Sequence, residues 1–229
     1  MDRVGKVKIA ILTALSQGLL YMGDIIICLT GPIQSRHIDT IMVLELGEEF
    51  ELLTPEGALD FSRNLEFKIF ESLLSLTIEL AHEGREGKAV GTIFVLGDHE
   101  NVMCLSRQLI YNPFEGHPEE KRSIFNPETR ETIKELSFVD GSFVISEQGV
   151  VLAAGRYLNV ASKHEEFPQG WGARHAAAAA ITEMTKATAI AISESTGAVT
   201  IFKNGKIFMS IEKPIGKTSF SIRDEGSTN

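Results

Sequence analysis

Ser137–Phe202 reads SFVDGSFVISEQGVVLAAGRYLNVASKHEEFPQGWGARHAAAAAITEMTKATAIAISESTGAVTIF, and its apolar runs separated by short polar corners decide the fold. Phe143–Ser146 and Val150–Ala154 flank Glu147-Gln148-Gly149, which predicts a hairpin. Four alanines, Ala177 to Ala180, then Ile181, predict a helix that begins at Gly172, with side chains small enough to lie close against a sheet. Ala187–Ser193 and Ala198–Lys203 predict two further strands. Asn204-Gly205 is a strong hairpin turn into a third, Lys206–Ile211. The expected fold class is therefore α/β, a mixed β-sheet flanked by helices, preceded by a small α/β fragment.

Three polar corners interrupt these elements. Asp140 lies in Phe138-Val139-Asp140-Gly141-Ser142-Phe143, where apolar residues on both sides predict a strand with buried backbone, so its carboxylate needs a partner. It is read either as part of a helix-to-strand turn or as a metal ligand and proton-accepting group. Gly172-Ala173-Arg174-His175 opens the alanine helix, where free N–H groups, the positive end of the dipole and a guanidinium suit a phosphate chain. An ordinary helix start with a surface arginine is the other reading. Ser193-Glu194-Ser195-Thr196-Gly197 offers hydroxyl and carboxylate oxygens to a phosphate-bound metal, or is simply a tight turn.

Outward from this stretch, Asn126-Pro127-Glu128-Thr129 is a helix start, with a capping side chain and proline at the first position, and the helix is expected to reach Leu136. Leu65, Ile69, Leu73, Leu76 and Leu80 recur at helical spacing within 62–82, and Ala89–Leu96 predicts a strand. Between 101 and 121 the pattern is mixed, and Leu105–Ile110 reads equally as a short strand or a helical turn. Val7–Met22 predicts a helix, Ile25–Thr30 and Thr40–Leu46 predict strands, and Thr54-Pro55-Glu56-Gly57 marks a boundary. This divides the chain into 1–58, 59–213 and a tail, 214–229, with little apolar pattern. Trp171, the single tryptophan, is read as a loop anchor. His37, His82, His99, His117 and His164 sit in polar segments or at element ends and are read as solvated.

With 229 residues, 43% hydrophobic and 23% charged, the chain can bury a good core. A formal net charge of -9 without a Lys/Arg run argues against nucleic-acid backbones as partners. No apolar stretch reaches the length of a membrane span. Cys28 and Cys104 have apolar neighbours, are read as buried small hydrophobes, and fit a reducing cytoplasm.

In their order, Asp140-Gly141-Ser142, Gly172-Ala173-Arg174-His175 and Ser193-Glu194-Ser195-Thr196-Gly197 resemble the motifs of the diadenylate cyclase domain, closest to its archaeal branch. The likeness runs from the helix before Ala89 to about Ile211. It implies condensation of two ATP into cyclic di-AMP with release of two pyrophosphates, at a site formed by two facing domains, hence a homo-oligomer of at least a face-to-face dimer. It implies Asp140, Gly141 and Ser142 as the catalytic turn, with Asp140 also binding Mn²⁺ or Mg²⁺. Gly172, Ala173, Arg174, His175, Ser193 and Glu194 are implied at the ATP phosphates, and Tyr157 and Leu158 at the adenine. Ser142 replaces the usual alanine, Ala173 a threonine, Ala176 a second arginine and Ser195 an acid common in bacterial members. The alternative reading is a catalytically silent adenine-nucleotide-binding sensor, and a third is a structural α/β protein whose corners are all turns. Gly23–Gly31 and Asp39-Thr40-Ile41 resemble the end of the α/β module at the C-terminus of pyruvate kinase, implying a role in assembly or regulation.

Overall fold

A computed structural model of the chain describes residues 23–31, 37–46, 65–84, 88–160 and 172–211, together with isolated positions between 7 and 21. The boundary at 54–57, the loop containing Trp171 and His164, and the tail 214–229 lie outside the described residues, as does most of the expected helix 7–22. Within that helix Val7, Ala10, Ile11 and Ala14 are helical.

The elements, in chain order, are β1 (Ile25–Thr30), β2 (Thr40–Glu45), α1 (Leu65–Glu83), β3 (Ile93–Leu96), α2 (His99–Cys104), β4 (Ser106–Gln108), a 3₁₀ turn (Glu119–Arg122), α3 (Pro127–Leu136), β5 (Ser142–Ile145), β6 (Val151–Leu158), α4 (Ala173–Met184), β7 (Thr188–Ile192), β8 (Val199–Lys203) and β9 (Lys206–Ile211). Seven strands form one sheet in the order β4-β6-β5-β3-β7-β8-β9. Only β3 and β5 run parallel; every other neighbouring pair is antiparallel.

Period-two alternation along the strands feeds two cores. Phe94, Phe143, Ile190 and Ile201 face α1, which contributes Ile69, Leu73, Leu76 and Leu80, and α3, which contributes Ile133. Ile93, Val95, Val144, Ala189 and Ala191 face the other way, against Ala178, Ala179 and Ile181 of α4 and Val102 of α2. Helices cover both faces, which is why the central strands are apolar at nearly every position. Alanine meets alanine between α4 and β7, so that helix lies close to the sheet.

Local signals end and start these elements. α1 stops at Gly84, whose positive φ lets its N–H donate to the Leu80 carbonyl at 2.9 Å. The Asn126 side chain accepts from the Glu128 N–H at 2.9 Å and caps α3. Asn204 and Gly205 both have positive φ, the requirement of the tight turn joining β8 to β9.

Some expectations need correcting. The strand expected from Ala89 begins only at Ile93, and the undecided Leu105–Ile110 holds the short strand β4, directly after the helix α2. β6 continues past Ala154 to Leu158. Cys28 is half-buried and Cys104 exposed; both are free thiols. Cys104 closes a helix whose buried residue is Val102, and the two-stranded sheet β1–β2 is too narrow to cover Cys28 fully. That sheet packs Ile26, Cys28, Met42 and Leu44 inward, while Ile25, Ile27, Leu29, Ile41 and Val43 point outward and are 59–70% exposed. Among the described residues, no helix is long and apolar enough to cross a membrane.

Candidate active site

Strand polarity brings the three corners together. β3 and β5 are parallel and start at the same edge of the sheet; β6 and β7 are antiparallel to them and finish there. Asp140-Gly141 precedes β5, Tyr157-Leu158 closes β6, Ser193-Glu194 follows β7, and α4 starts beside them. The result is a cleft of about 1230 Å³. Asp140, Gly141, Ser142, Tyr157, Leu158, Gly172, Ala173, Arg174, His175, Ser193 and Glu194 all line it.

Asp140 is not in a strand. α3 unwinds through a turn in which the Val139 N–H donates to the Leu136 carbonyl at 3.0 Å, and β5 starts only at Ser142. The Asp140 side chain is 90% exposed, so it escapes the desolvation expected of a buried carboxylate. Apolar Phe138, which suggested a strand, is itself partly exposed and lines the cleft. Gly141 fixes where the turn ends. Its φ is 117°, and a Cβ there would lie 2.7 Å from the Gly155 carbonyl carbon and 2.8 Å from the Arg156 nitrogen. Gly155 also has positive φ, and the pairing of β5 with β6 shifts register between Ser142 and Val144. The Ser142 hydroxyl donates to the Arg156 carbonyl at 2.9 Å, tying the turn to that irregularity.

Arg174 joins the corners. One guanidinium nitrogen donates to Glu194 Oε2 at 2.9 Å and the other to Asp140 Oδ1 at 3.4 Å. Both carboxylates are more than half exposed, so these pairs are screened, weak and readily exchanged for a ligand. α4 has no side-chain cap at Gly172, leaving the start of the helix facing the cleft. The Ser193 hydroxyl sits 3.2 Å from that of Ser195 and accepts from the Thr196 N–H at 3.3 Å, which holds the turn after β7.

His175 is buried, with its ring edge-on to Phe202 at 6.0 Å between centroids. Burial pushes its pKa below the usual 6.5, so at neutral pH it brings a hydrogen-bonding ring rather than a charge. The unfolded chain takes up this proton near pH 6.5 while the folded chain resists it, so stability is held above that pH and lost as the pH falls. We expect the calorimetric melting temperature to decline from pH 7 to pH 5, and His175→Gln to flatten part of that slope. An unchanged slope would remove His175 from the titrating set.

Several residues at the cleft escaped the sequence reading. Among them Phe138, Lys88 and Arg156 line it, and Gly91 stands directly behind Arg174. At the opposite edge of the sheet His99 is not a lone solvated ring: its Nδ1 lies 2.7 Å from Glu147 Oε2, and Glu147 Oε1 accepts from the Asp98 N–H at 2.6 Å. Burial pushes the Glu147 pKa up, but hydrogen bonds from its own backbone, His99 and the Asp98 amide outweigh it and hold the group below the usual range. His37, His82 and His117 are exposed.

Residues 79–207 match the family model described as DAC, DisA bacterial checkpoint controller nucleotide-binding. The chain is 41% identical over 198 residues to a diadenylate cyclase of Methanocaldococcus jannaschii, covering 86% of this chain and 63% of that protein. It is 35% identical over 211 residues to a diadenylate cyclase of Haloferax volcanii, covering 90% of this chain and 75% of that protein. The chain belongs to the diadenylate cyclase family. It thus spans less than two thirds of the Methanocaldococcus relative. Among solved structures, a double mutant of DacA from Staphylococcus aureus aligns with TM-score 0.45 and 20% identity over 62% of this chain and 85% of that one. Ser142, Ala173, Ala176 and Ser195 all line the cleft.

Proposed function

We propose that the chain condenses two ATP into cyclic di-AMP, releasing two pyrophosphates, in the cytoplasm. The observation that carries this is the convergence of Asp140, Arg174 and Glu194, distant in sequence, on one cleft large enough for a nucleotide. Arg174 and the open start of α4 hold the triphosphate, His175 adds a neutral hydrogen-bonding ring, and Ser193 steadies the turn beside it. Tyr157 and Leu158 line the end suited to the adenine, and Asp140 accepts or orients the proton of the ribose 3′-hydroxyl. Each 3′-oxygen attacks the α-phosphorus of the ATP held by a second copy; the new P–O bond replaces the bond to pyrophosphate, and the hydroxyl proton leaves toward Asp140. The product has two-fold symmetry, so two copies must face each other cleft to cleft. Residues 59–213 are the cyclase domain in this reading, and 1–58 an assembly or regulatory module.

The donor set fits a divalent ion of the Mg²⁺ or Mn²⁺ kind. The cleft offers two exposed carboxylates, Asp140 and Glu194, and among the described residues no group of three or more His, Cys, Asp or Glu could hold a metal ion. One or two carboxylates completed by substrate phosphates is the arrangement that such hard ions favour. Bound there, the ion supplies charge against the phosphates and acidity at the 3′-hydroxyl.

Incubation with ATP and Mn²⁺ or Mg²⁺, followed by mass spectrometry, should yield cyclic di-AMP. Arg174→Ala should raise the KM for ATP by roughly tenfold or more, the loss of one charge-assisted phosphate contact, and lower the rate as well. Tight ATP binding with no cyclic product under either metal at high protein concentration would instead favour the sensor.

A further inference from the structure

We propose that the segment Lys88–Gly91, which leads into β3, is a further wall of the phosphate subsite: Gly91 seats the Arg174 guanidinium and Lys88 supplies a cation for the polyphosphate. The inference rests on the functional reading above and extends it to residues that reading does not use.

The case for Gly91 is one of distance. A Cβ at this position would lie 2.8 Å from Arg174 Nη1, 2.8 Å from Glu194 Cβ and 3.2 Å from Arg174 Cζ. Gly91 is not among the glycines with positive φ, so its backbone would accept alanine. What requires glycine there is the space occupied by the Arg174 head and the Glu194 turn. Gly91 is thus a positioning residue that acts through Arg174.

The case for Lys88 is one of charge. The described cations lining the cleft are Lys88, Arg156 and Arg174. Arg156 is committed to Ser106, Gln108 and the Met103 and Ser106 carbonyls. Arg174 is shared between two carboxylates, His175 is neutral by burial, and Ala176 carries no charge. A triphosphate with one divalent ion still bears about two negative charges near pH 7. Lys88 is exposed and lines the cleft, and no salt bridge involves it among the described residues.

The test is titration calorimetry of the whole chain with α,β-methylene-ATP, whose bridge cannot be cleaved, and with adenosine, both with Mg²⁺. Lys88→Gln should weaken the analogue about tenfold and leave adenosine unchanged, and Lys88→Arg should restore the analogue. Gly91→Ala should weaken the analogue alone, and its effect should shrink in an Arg174→Ala background, where only the contact with Glu194 Cβ remains. A parent chain that binds no analogue would overturn the functional reading and this extension together. A parent that binds it, with Lys88→Gln binding equally well or with additive losses in the double variant, would overturn the extension only.

Discussion

Asp140→Asn should lower cyclic di-AMP formation by roughly 100-fold or more while leaving the melting temperature almost unchanged. The two halves of this expectation have separate causes. Asparagine keeps the shape and can still accept from Arg174, but it has neither the negative charge to hold a divalent ion nor the basicity to take the 3′-hydroxyl proton. Stability is indifferent because the side chain is 90% exposed and its one ion pair is long and screened. The turn is held instead by backbone packing of Gly141 on Gly155 and by the Ser142 hydroxyl on the Arg156 carbonyl. Rate measurement by product mass spectrometry, paired with a thermal melt, separates the effects. A variant that keeps the parent rate with an intact fold would remove Asp140 from the chemistry.

The second large effect is on the fold. Arg156 donates through Nε to the Ser106 hydroxyl at 2.8 Å, through Nη1 to Gln108 at 3.3 Å, and through Nη2 to the Met103 and Ser106 carbonyls at 2.9 and 2.7 Å. It fastens the end of α2 and the edge strand β4 to β6, and burial lowers its pKa from the usual guanidinium range. Arg156→Met keeps the length and removes every donor. The carbonyls and Gln108 then lose partners in a partly dry setting, a cost of about 3 kcal/mol. For a chain of this size that is a melting temperature roughly 6–12 °C lower. β4 carries Arg107, whose guanidinium sits 5.1 Å from the centre of the Tyr157 ring, so adenosine affinity should fall with stability. A melt within about a degree of the parent would show that β4 is held by its ladder alone.

Elements with strong local signals were legible from residues alone: the Asn126 cap and the proline of α3, the alanine run of α4, the Asn204-Gly205 turn. The residues that line the cleft were legible as an ordered set of corners, and the parallel start of β3 and β5 is the physical reason that they meet. The environment of Asp140 was not legible, because apolar neighbours look the same in a strand and in a turn that leaves Phe138 and Asp140 open to the cleft. α2 has six residues and β4 three, too few to display a period. The pairing of His99 with Glu147, 48 positions apart, exists only because parallel strands end side by side. Gly91 gives no sign in the sequence that a Cβ there would meet Arg174 and Glu194 at 2.8 Å.

The outward side of the small hairpin bears on how these melts are followed. Ile25, Ile27, Leu29, Ile41 and Val43 form a greasy stripe open to solvent in the native chain. Environment-sensitive dyes such as ANS, which brighten on oily surfaces, should fluoresce with the cold, intact protein and mask the onset of unfolding. Ellipticity, which reports the backbone alone, is the appropriate signal for every variant named above.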